Sequence, residues 1–174
     1  MGKRSDFKRR KNDAYDTPLK GILPLLPHLP KGSTFIEPCA GNGFLVDTLV
    51  AEGHECIGKF DIEPRREDIL ELDALEAGPH MLHADYIITN PPWTRQLLHP
   101  MIEKFSDISP TWFLFDAAWI YTKQAAPYIP RIQKIVPTAR LKWIPDSKHS
   151  ATDDSCWYLF TNEKTNELEF VPRQ

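Results

Sequence analysis

The tetrapeptide Asn90-Pro91-Pro92-Trp93 follows Thr89 and an apolar run at residues 85–88. The run is typical of a buried parallel strand, so we expect the tetrapeptide in the loop at its carboxyl end, where open α/β sheets carry out chemistry. Two consecutive prolines stiffen this loop and leave the carbonyls of Asn90 and Pro91 without local donors. Asn90 adds a side-chain carbonyl, and Trp93 adds a flat face on which a planar ring can stack. These groups predict a binding site for an aromatic amine. The alternative is an ordinary Asn-Pro turn with Trp93 in the core.

A second group of candidate residues lies in the turn 37–43, between a predicted strand and a helix that begins after Gly43. Glycines in such a unit let the backbone approach a ligand, and the helix N-terminus favours anionic groups. Val46 stands where a dinucleotide fingerprint has its third glycine, and Glu37 would repel a pyrophosphate, so NAD is disfavoured. A ligand that carries both an ammonium and a carboxylate suits Glu37 and the helix end. S-adenosylmethionine (SAM) fits that description.

Two carboxylates further along the chain are placed to contact a nucleoside. Asp61 ends a predicted second strand at residues 55–60, where it can accept hydrogen bonds from two ribose hydroxyls. Ile62 can pack on an adenine, and Asp73 can meet the adenine amino group. Either carboxylate could instead be a turn former, because Asp readily bonds its own backbone in turns.

Length and composition predict a single soluble domain. The chain has 174 residues, 41% of them hydrophobic and 26% charged, which is enough for one α/β core and too little for two ordinary domains. The best apolar run, residues 112–121, is broken by Asp116, so no membrane span is predicted. Three widely spaced cysteines without a CxxC pair predict a reduced, cytoplasmic protein. The six histidines show no ligand spacing, so no metal site is predicted.

Positive charge is concentrated in two regions, although the net charge is −3. Residues 1–11 carry six basic residues and are predicted to form a flexible arm before a single domain at residues 12–174. The last third includes Lys123, Arg131, Lys134, Arg140, Lys142 and Lys148, with only Asp146 among them. Both regions can contact phosphates, so we expect a nucleic-acid partner; the alternative for the arm is a solvated tail.

The remaining pattern predicts the elements that position these residues. Thr17-Pro18 is a typical helix start, with Thr17 as N-cap. Residues 111–116 predict a buried aromatic strand that ends at the same rim as Asn90. Its last residue, Asp116, is either a second polar contact in the site or a helix N-cap. The later elements are predicted as a helix at 117–129, strand structure within 132–144 and a last strand at 155–160.

Three motifs in sequence order resemble those of class I SAM-dependent methyltransferases, specifically the amino-group DNA methyltransferases that modify adenine at N6. Tyr15, Thr17 and Pro18 are similar to the N-terminal cofactor motif of that family, Tyr-x-Thr-Pro. Residues 37–43 match its Asp/Glu-Pro-x-x-Gly-x-Gly motif. Residues 90–93 match its catalytic Asp/Asn-Pro-Pro-aromatic motif, in which Trp is less usual than Tyr or Phe. Cofactor motifs that precede the catalytic one resemble the gamma arrangement.

The resemblance implies a Rossmann-like class I methyltransferase fold, α/β with a mostly parallel sheet, helices on both faces and an antiparallel last strand. It implies SAM as cofactor, S-adenosyl-L-homocysteine as product and no metal. The implied catalytic residues are Asn90, Pro91, Pro92 and Trp93. The implied cofactor-binding residues are Tyr15, Thr17, Pro18, Glu37, Pro38, Cys39, Ala40, Gly41, Gly43, Asp61, Ile62, Asp73, Ala74 and Asn90.

The implied reaction flips an adenine out of the DNA stack and holds its ring on Trp93. The amino group then donates to the Asn90 side chain and the Pro91 carbonyl, so that positioning and local electrostatics drive transfer without a strong base. Too few residues follow Trp93 for the target-recognition domain that is usual in this arrangement. We therefore expect sequence specificity to come from the arm, from a loop that carries Lys148 and His149, or from a partner chain.

Other substrates and a non-enzymatic role stay open. The same Asn-Pro-Pro-aromatic loop serves enzymes that methylate an amino group of RNA adenine or guanine, or a protein glutamine amide. The protein could also be a catalytically silent nucleic-acid-binding module that keeps the fold as a scaffold. A dehydrogenase is disfavoured by Val46.

Overall fold

The computed structural model describes residues 15–138, 140–144 and 153–173, which form one eight-stranded sheet with helices packed against it. The strands are β1 (Thr34–Glu37), β2 (Glu55–Asp61), β3 (Leu70–Glu71), β4 (Tyr86–Thr89), β5 (Thr111–Asp116), β6 (Ile132–Pro137), β7 (Ser155–Phe160) and β8 (Glu169–Phe170). Their spatial order is β3-β2-β1-β4-β5-β7-β6-β8. All neighbours are parallel except that β7 is antiparallel to β5 and β6. The predicted α/β fold with a mostly parallel sheet is confirmed.

The strand order reverses between β1 and β4. From β1 the chain proceeds outward to β2 and β3, whereas from β4 it proceeds in the opposite direction to β5. The loops after β1 and β4 therefore diverge and open a crevice at the carboxyl edge of the sheet. The turn 37–43 and the tetrapeptide 90–93 both begin at this crevice.

Helices cover both faces of the sheet, as the resemblance implies. The short helix α1 (Leu19–Ile22) and α2 (Phe44–Ala51) pack on one face, and α3 (Arg95–Ser106) packs on the other. The helix α3 buries an apolar stripe at helical spacing, which consists of Leu98, Met101, Ile102 and Phe105. Short 3₁₀ helices occur at Leu26–His28, Pro79–Met81, Ala117–Tyr121, Lys123–Ala125 and Ile129–Arg131.

The central strand β5 divides the core into two layers because both of its faces are covered. Phe113 and Phe115 lie in the α3 layer, whereas Trp112 lies in the layer of α1 and α2. Phe115 stacks on Tyr158 of β7 with ring centroids 4.5 Å apart. The prediction of a buried aromatic strand at residues 111–116 is confirmed. Tyr121, which follows it, is 88% exposed.

Three predicted elements are wrong in detail. The helix predicted at 117–129 is instead a succession of 3₁₀ turns, since Thr122 is extended and the prolines at 127 and 130 supply no N–H groups. Pro18 rather than Thr17 is the N-cap of α1, and no side chain caps that helix. The antiparallel β7 is not the last strand, because the two-residue β8 follows and pairs parallel with β6. Two residues carry too little pattern to predict a strand.

Candidate active site

A cavity of about 400 Å³ opens at the carboxyl edge between β1, β2 and β4. Its size lies within the usual range of small-molecule sites, roughly 300 to 1,000 Å³. Twelve of the fourteen predicted cofactor-binding residues line it, namely Tyr15, Thr17, Glu37, Pro38, Cys39, Ala40, Gly41, Asp61, Ile62, Asp73, Ala74 and Asn90. Pro18 and Gly43 do not. Of the predicted catalytic residues, Asn90 and Pro92 line the cavity, whereas Pro91 and Trp93 lie outside its lining.

Seven residues that were not predicted also line the cavity. They are Asp16, Asn42, Leu45, Glu63, Arg65, Leu97 and Met101. Leu97 and Met101 come from α3, whose start is set by the tetrapeptide loop, so the helix brings apolar side chains over the cavity. No helix is predicted at Arg95–Ser106 from the sequence, so the contribution of this helix to the cavity was missed.

Two consecutive arginines pack on the glycine turn. A Cβ atom at Gly41 would lie 2.7 Å from Nη2 of Arg65, and a Cβ atom at Gly43 would clash with the guanidinium of Arg66. Both glycines also have positive φ, +53° and +77°, which L side chains rarely adopt. The glycines were predicted to let a ligand approach the backbone. In the structure their positive φ values already favour glycine, whereas the guanidinium groups, at the ends of flexible side chains, could shift to admit a Cβ atom.

Arg65 ties the N-terminal segment to this turn. Its two terminal guanidinium nitrogens donate to the carboxylate of Asp16, and its backbone N–H donates to the Gly41 carbonyl at 3.0 Å. The pair is partly exposed, so it contributes little to stability. Its consequence is geometric, because it keeps Tyr15 and Thr17 against the cavity.

Asp61 is held rigidly at the end of β2. One carboxylate oxygen accepts the backbone N–H of Gly41 and the other accepts that of Glu63, both at 2.8 Å. Each oxygen keeps a second lone pair, so the carboxylate can still accept hydroxyl donors from the cavity. Asp73 accepts the N–H of Leu75 at 2.8 Å while lining the same cavity, so it is a turn former whatever ligand it contacts.

Glu37 ends β1 as a buried carboxyl group at the cavity wall. Its side chain is 1% exposed, and neither oxygen has a hydrogen bond of good geometry within the described part of the chain. The Thr89 hydroxyl and the Cys39 backbone N–H are near enough to offset part of the effect of burial on the Glu37 pKa, but they do not satisfy the carboxyl. Burial raises the pKa of Glu37 to about 8. Burial also raises the pKa of the neighbouring Cys39 thiol, which disfavours a thiolate nucleophile at this position. An unpartnered buried carboxyl is costly, so this cavity is suited to a ligand that brings a cation.

The amide of Asn90 is bonded at both ends. Nδ2 donates to the backbone carbonyl of Tyr15 at 3.0 Å, and Oδ1 accepts the indole N–H of Trp93 at 3.3 Å. Trp93 in turn meets Trp143 edge to face, with ring centroids 5.6 Å apart and an interplanar angle of 87°. Sequence reasoning missed Trp143. It lies in the segment after β6, and no local pattern connects it with residue 93.

Asp116 does not line the cavity. Its carboxylate accepts the backbone N–H of Ala118 at 2.8 Å and so caps the 3₁₀ turn that follows β5. Of the two roles predicted for Asp116, the structure therefore shows the N-cap. Lys148, His149 and the arm at residues 1–11 lie outside the described residues, so the structure reports nothing about these predicted contacts.

The predicted basic character of the last third is reduced by ion pairs. Arg131 pairs with Asp107, Lys134 with Glu169 at 2.9 Å, and Arg140 with Asp154 at 3.4 Å. Lys123 and Lys142 are exposed and form no ion pair with any residue that the structure describes.

Neither a metal cluster nor a membrane-spanning helix is found within residues 15–138, 140–144 and 153–173.

Comparison with solved structures identifies the fold. A protein of Pyrococcus horikoshii proposed to be an RNA methyltransferase matches with a TM-score of 0.60 and 16% identity, over 92% of this chain and 93% of that one. The methyltransferase subunit of a type I restriction-modification system from Streptococcus thermophilus matches with a TM-score of 0.64 and 9% identity, over 91% of this chain but 47% of that one. A TehB-like SAM-dependent methyltransferase from Corynebacterium glutamicum matches with a TM-score of 0.54 and 15% identity, over 84% and 88%.

Sequence comparison adds no closer assignment. No family model matches the chain. No curated protein matches it either. The structural matches, all with low identity, concern the fold alone, and together with the strand order they show that the chain has the Rossmann-like α/β fold of class I SAM-dependent methyltransferases.

Proposed function

We propose that the protein transfers a methyl group from SAM to the N6 amino group of adenine in DNA. The observation that carries the proposal is the position of Asn90, which lines the cavity with its amide held by Tyr15 and Trp93. This amide oxygen lies at the end of β4, beside a cavity that Asp61 and Asp73 also line. In the proposed complex it accepts an amino group next to the bound cofactor.

The residues of the cavity fit SAM. Glu37 is a buried carboxyl that makes no hydrogen bond of good geometry among the described residues, which suits the ammonium of the methionyl group. Asp61 is positioned for two ribose hydroxyls, and Ile62 with Leu97 offers apolar surface for the adenine. SAM supplies an electrophilic methyl group when bound.

The protein's share of the reaction is to hold the target amine. The oxygen of Asn90 and the carbonyl of Pro91 accept its two N–H groups, which favours tetrahedral geometry at nitrogen and frees the lone pair for attack. Trp93 provides the surface on which the flipped base stacks. The nitrogen–methyl bond forms as the sulfur–methyl bond of SAM breaks, which leaves S-adenosyl-L-homocysteine and a positively charged nitrogen. That nitrogen is acidic and gives its proton to water, so no strong base is required.

Exposed cations at the same edge favour a nucleic-acid substrate over a protein one. Arg95 follows β4, Lys123 follows β5 and Lys142 follows β6, and these three strands end at the carboxyl edge of the sheet. The arm and the loop with Lys148 and His149 are proposed to add further phosphate contacts.

We expect the double variant Lys123→Ala/Lys142→Ala to bind DNA more weakly. Each lost phosphate contact should reduce the slope of log affinity against log salt by about 0.9. Lys31→Ala/Lys164→Ala is the matched control, because these exposed lysines lie at the opposite edge, before β1 and after β7. Fluorescence anisotropy of a labelled duplex across a salt series measures both slopes. If the two double variants show the same slope of log affinity against log salt, the carboxyl edge of the sheet is not the DNA contact surface.

Asp61→Ala should weaken SAM binding by roughly 1 to 3 kcal/mol, because the ribose hydroxyls lose a charged acceptor. Asp61→Asn should be nearly as harmful, since an amide offers one oxygen where the structure requires two acceptors for the N–H groups of Gly41 and Glu63. Asp73→Ala should weaken SAM binding less than Asp61→Ala does. Calorimetric titration measures the SAM affinity of all three variants. If Asp61→Ala binds SAM as tightly as the wild type, the proposed contact between Asp61 and the ribose is wrong.

RNA is the second candidate substrate. Its support is that the P. horikoshii protein, which is similar in size and fold, is proposed to be an RNA methyltransferase. Exposed cations bind the phosphates of RNA and DNA equally well, so they do not distinguish the two substrates. The decisive experiment incubates the protein with methyl-labelled SAM and, in parallel, unmethylated DNA, RNA and protein fractions. Labelled methyl groups in DNA support the proposal, whereas labelled RNA or protein contradicts it and identifies the substrate class. SAM binding without any methyl transfer indicates a nucleic-acid-binding module without catalytic activity.

A further inference from the structure

We infer that Trp93 positions the catalytic amide through its indole N–H, in addition to offering its ring for stacking. The inference rests on the proposed function, and it concerns a property that Phe or Tyr at position 93 would lack. Neither residue has an N–H on its ring. Trp93 is therefore a positioning residue for Asn90, and the two act as one unit.

Two hydrogen bonds fix the orientation of the Asn90 amide. Nδ2 lies 3.0 Å from the Tyr15 carbonyl, and Oδ1 lies 3.3 Å from Nε1 of Trp93. The reversed amide would set its NH₂ against the indole N–H and its oxygen against a carbonyl, and both contacts would be repulsive. The chemistry of the two partners thus allows one orientation, which is the one with Oδ1 on the Trp93 side.

The amide oxygen is consequently in place before a target amine arrives. It has two lone pairs, of which the indole N–H uses one and the target amine can use the other. Donation from Nδ2 to the Tyr15 carbonyl adds to the negative charge on Oδ1, because linked hydrogen bonds polarise one another. An acceptor fixed in this way needs no reorganisation during the reaction.

Trp93 is held independently of Asn90. Its ring meets Trp143 edge to face at 5.6 Å, so loss of the N–H alone should leave the ring close to its present position. Stacking and positioning can therefore be separated experimentally. Site-specific replacement of Trp93 by 3-benzothienylalanine keeps the bicyclic shape and substitutes sulfur for the N–H group. Trp93→Phe keeps a ring of smaller area and also lacks the N–H.

The first test does not depend on activity. In proton–nitrogen correlation spectra the Trp93 indole signal is identified by its loss in Trp93→Phe. We expect Asn90→Ala to shift that signal and to accelerate its hydrogen exchange by about fivefold to tenfold, as loss of a weak hydrogen bond should. The indole of Trp157, which donates to the Gly21 carbonyl at 2.7 Å, is the internal control and should not change. An unshifted Trp93 signal would overturn the inference.

The second test separates turnover from capture. The benzothienylalanine variant should lose about tenfold in kcat for methyl transfer from SAM to unmethylated duplex DNA, with KM for DNA nearly unchanged. Trp93→Ala should in addition raise KM, because the stacking surface is gone. Unchanged kcat in the benzothienylalanine variant would contradict a positioning role while leaving the proposed function intact. Absence of transfer by the wild-type protein would instead contradict the proposed function, and the spectroscopic test would still decide the inference.

Discussion

Asn90→Ala is expected to reduce methyl transfer by a factor on the order of one hundred or more while SAM binding falls only slightly. The acceptor oxygen of Asn90 gains importance as the target nitrogen becomes tetrahedral, and such an interaction raises turnover more than affinity. The slight loss of SAM affinity arises because alanine also removes the bond to the Tyr15 carbonyl, which belongs to the cavity wall. Single-turnover transfer and calorimetric titration measure the two effects separately.

Asn90→Asp provides the matched comparison. A carboxylate can accept the target amine, but it would also face the Tyr15 carbonyl, where Asn90 now donates an N–H at 3.0 Å. We expect activity between that of the wild type and that of Asn90→Ala. Thermal unfolding of each variant checks that the fold is kept. A folded Asn90→Ala protein that transfers methyl groups at the wild-type rate would contradict the assignment of the catalytic loop.

Glu37→Gln is expected to have opposite effects on SAM binding and on the stability of the ligand-free protein. Burial raises the pKa of Glu37 to about 8, so the ligand-free carboxyl is largely protonated at pH 7. An ammonium bound beside it favours the ionised form, so binding should release a proton. SAM affinity should therefore rise with pH up to about 8 in the wild type, by nearly tenfold per unit, and should lack this rise in Glu37→Gln. Calorimetry in buffers of different ionisation enthalpy detects the proton.

The sign of the stability effect follows from the same pKa. A carboxyl whose folded pKa exceeds its unfolded value of 4.5 contributes stability below that value, and this contribution is lost as the pH rises to about 8. Ligand-free Glu37→Gln should therefore be more stable than the wild type at pH 8, with a smaller difference at pH 5. Denaturant unfolding at both pH values measures this. A less stable variant at pH 8 would indicate that Glu37 has a partner in the folded state.

The strands that carry the site were predictable from local pattern. β1, β2, β4 and β5 are apolar or β-prone runs that end in a polar residue, and buried parallel strands are typically continuous in this way. Because the carboxyl ends of parallel strands meet at one edge, the turn after β1, Asp61 and Asn90 could be expected together, and they do line one cavity.

The residues that brace these groups were not predictable. Arg65 reaches Asp16 across 49 residues of sequence, and Trp143 meets Trp93 from a segment beyond β6. Such contacts depend on how distant segments approach in three dimensions, and neither spacing nor composition encodes that. The failed helix at 117–129 has a different cause, since prolines and the extended Thr122 interrupt it.

The central claim is transfer of a methyl group to the adenine amino group held by Asn90. It is tested most directly by incubating the protein with trideuteromethyl SAM and unmethylated genomic DNA, then digesting the DNA and identifying nucleosides by mass spectrometry. The wild type should produce N6-methyldeoxyadenosine that carries the deuterated methyl group, and Asn90→Ala should produce it at a rate lower by about a hundredfold or more. Label on cytosine alone, or deuterated N6-methyldeoxyadenosine formed equally by both proteins, would contradict the claim.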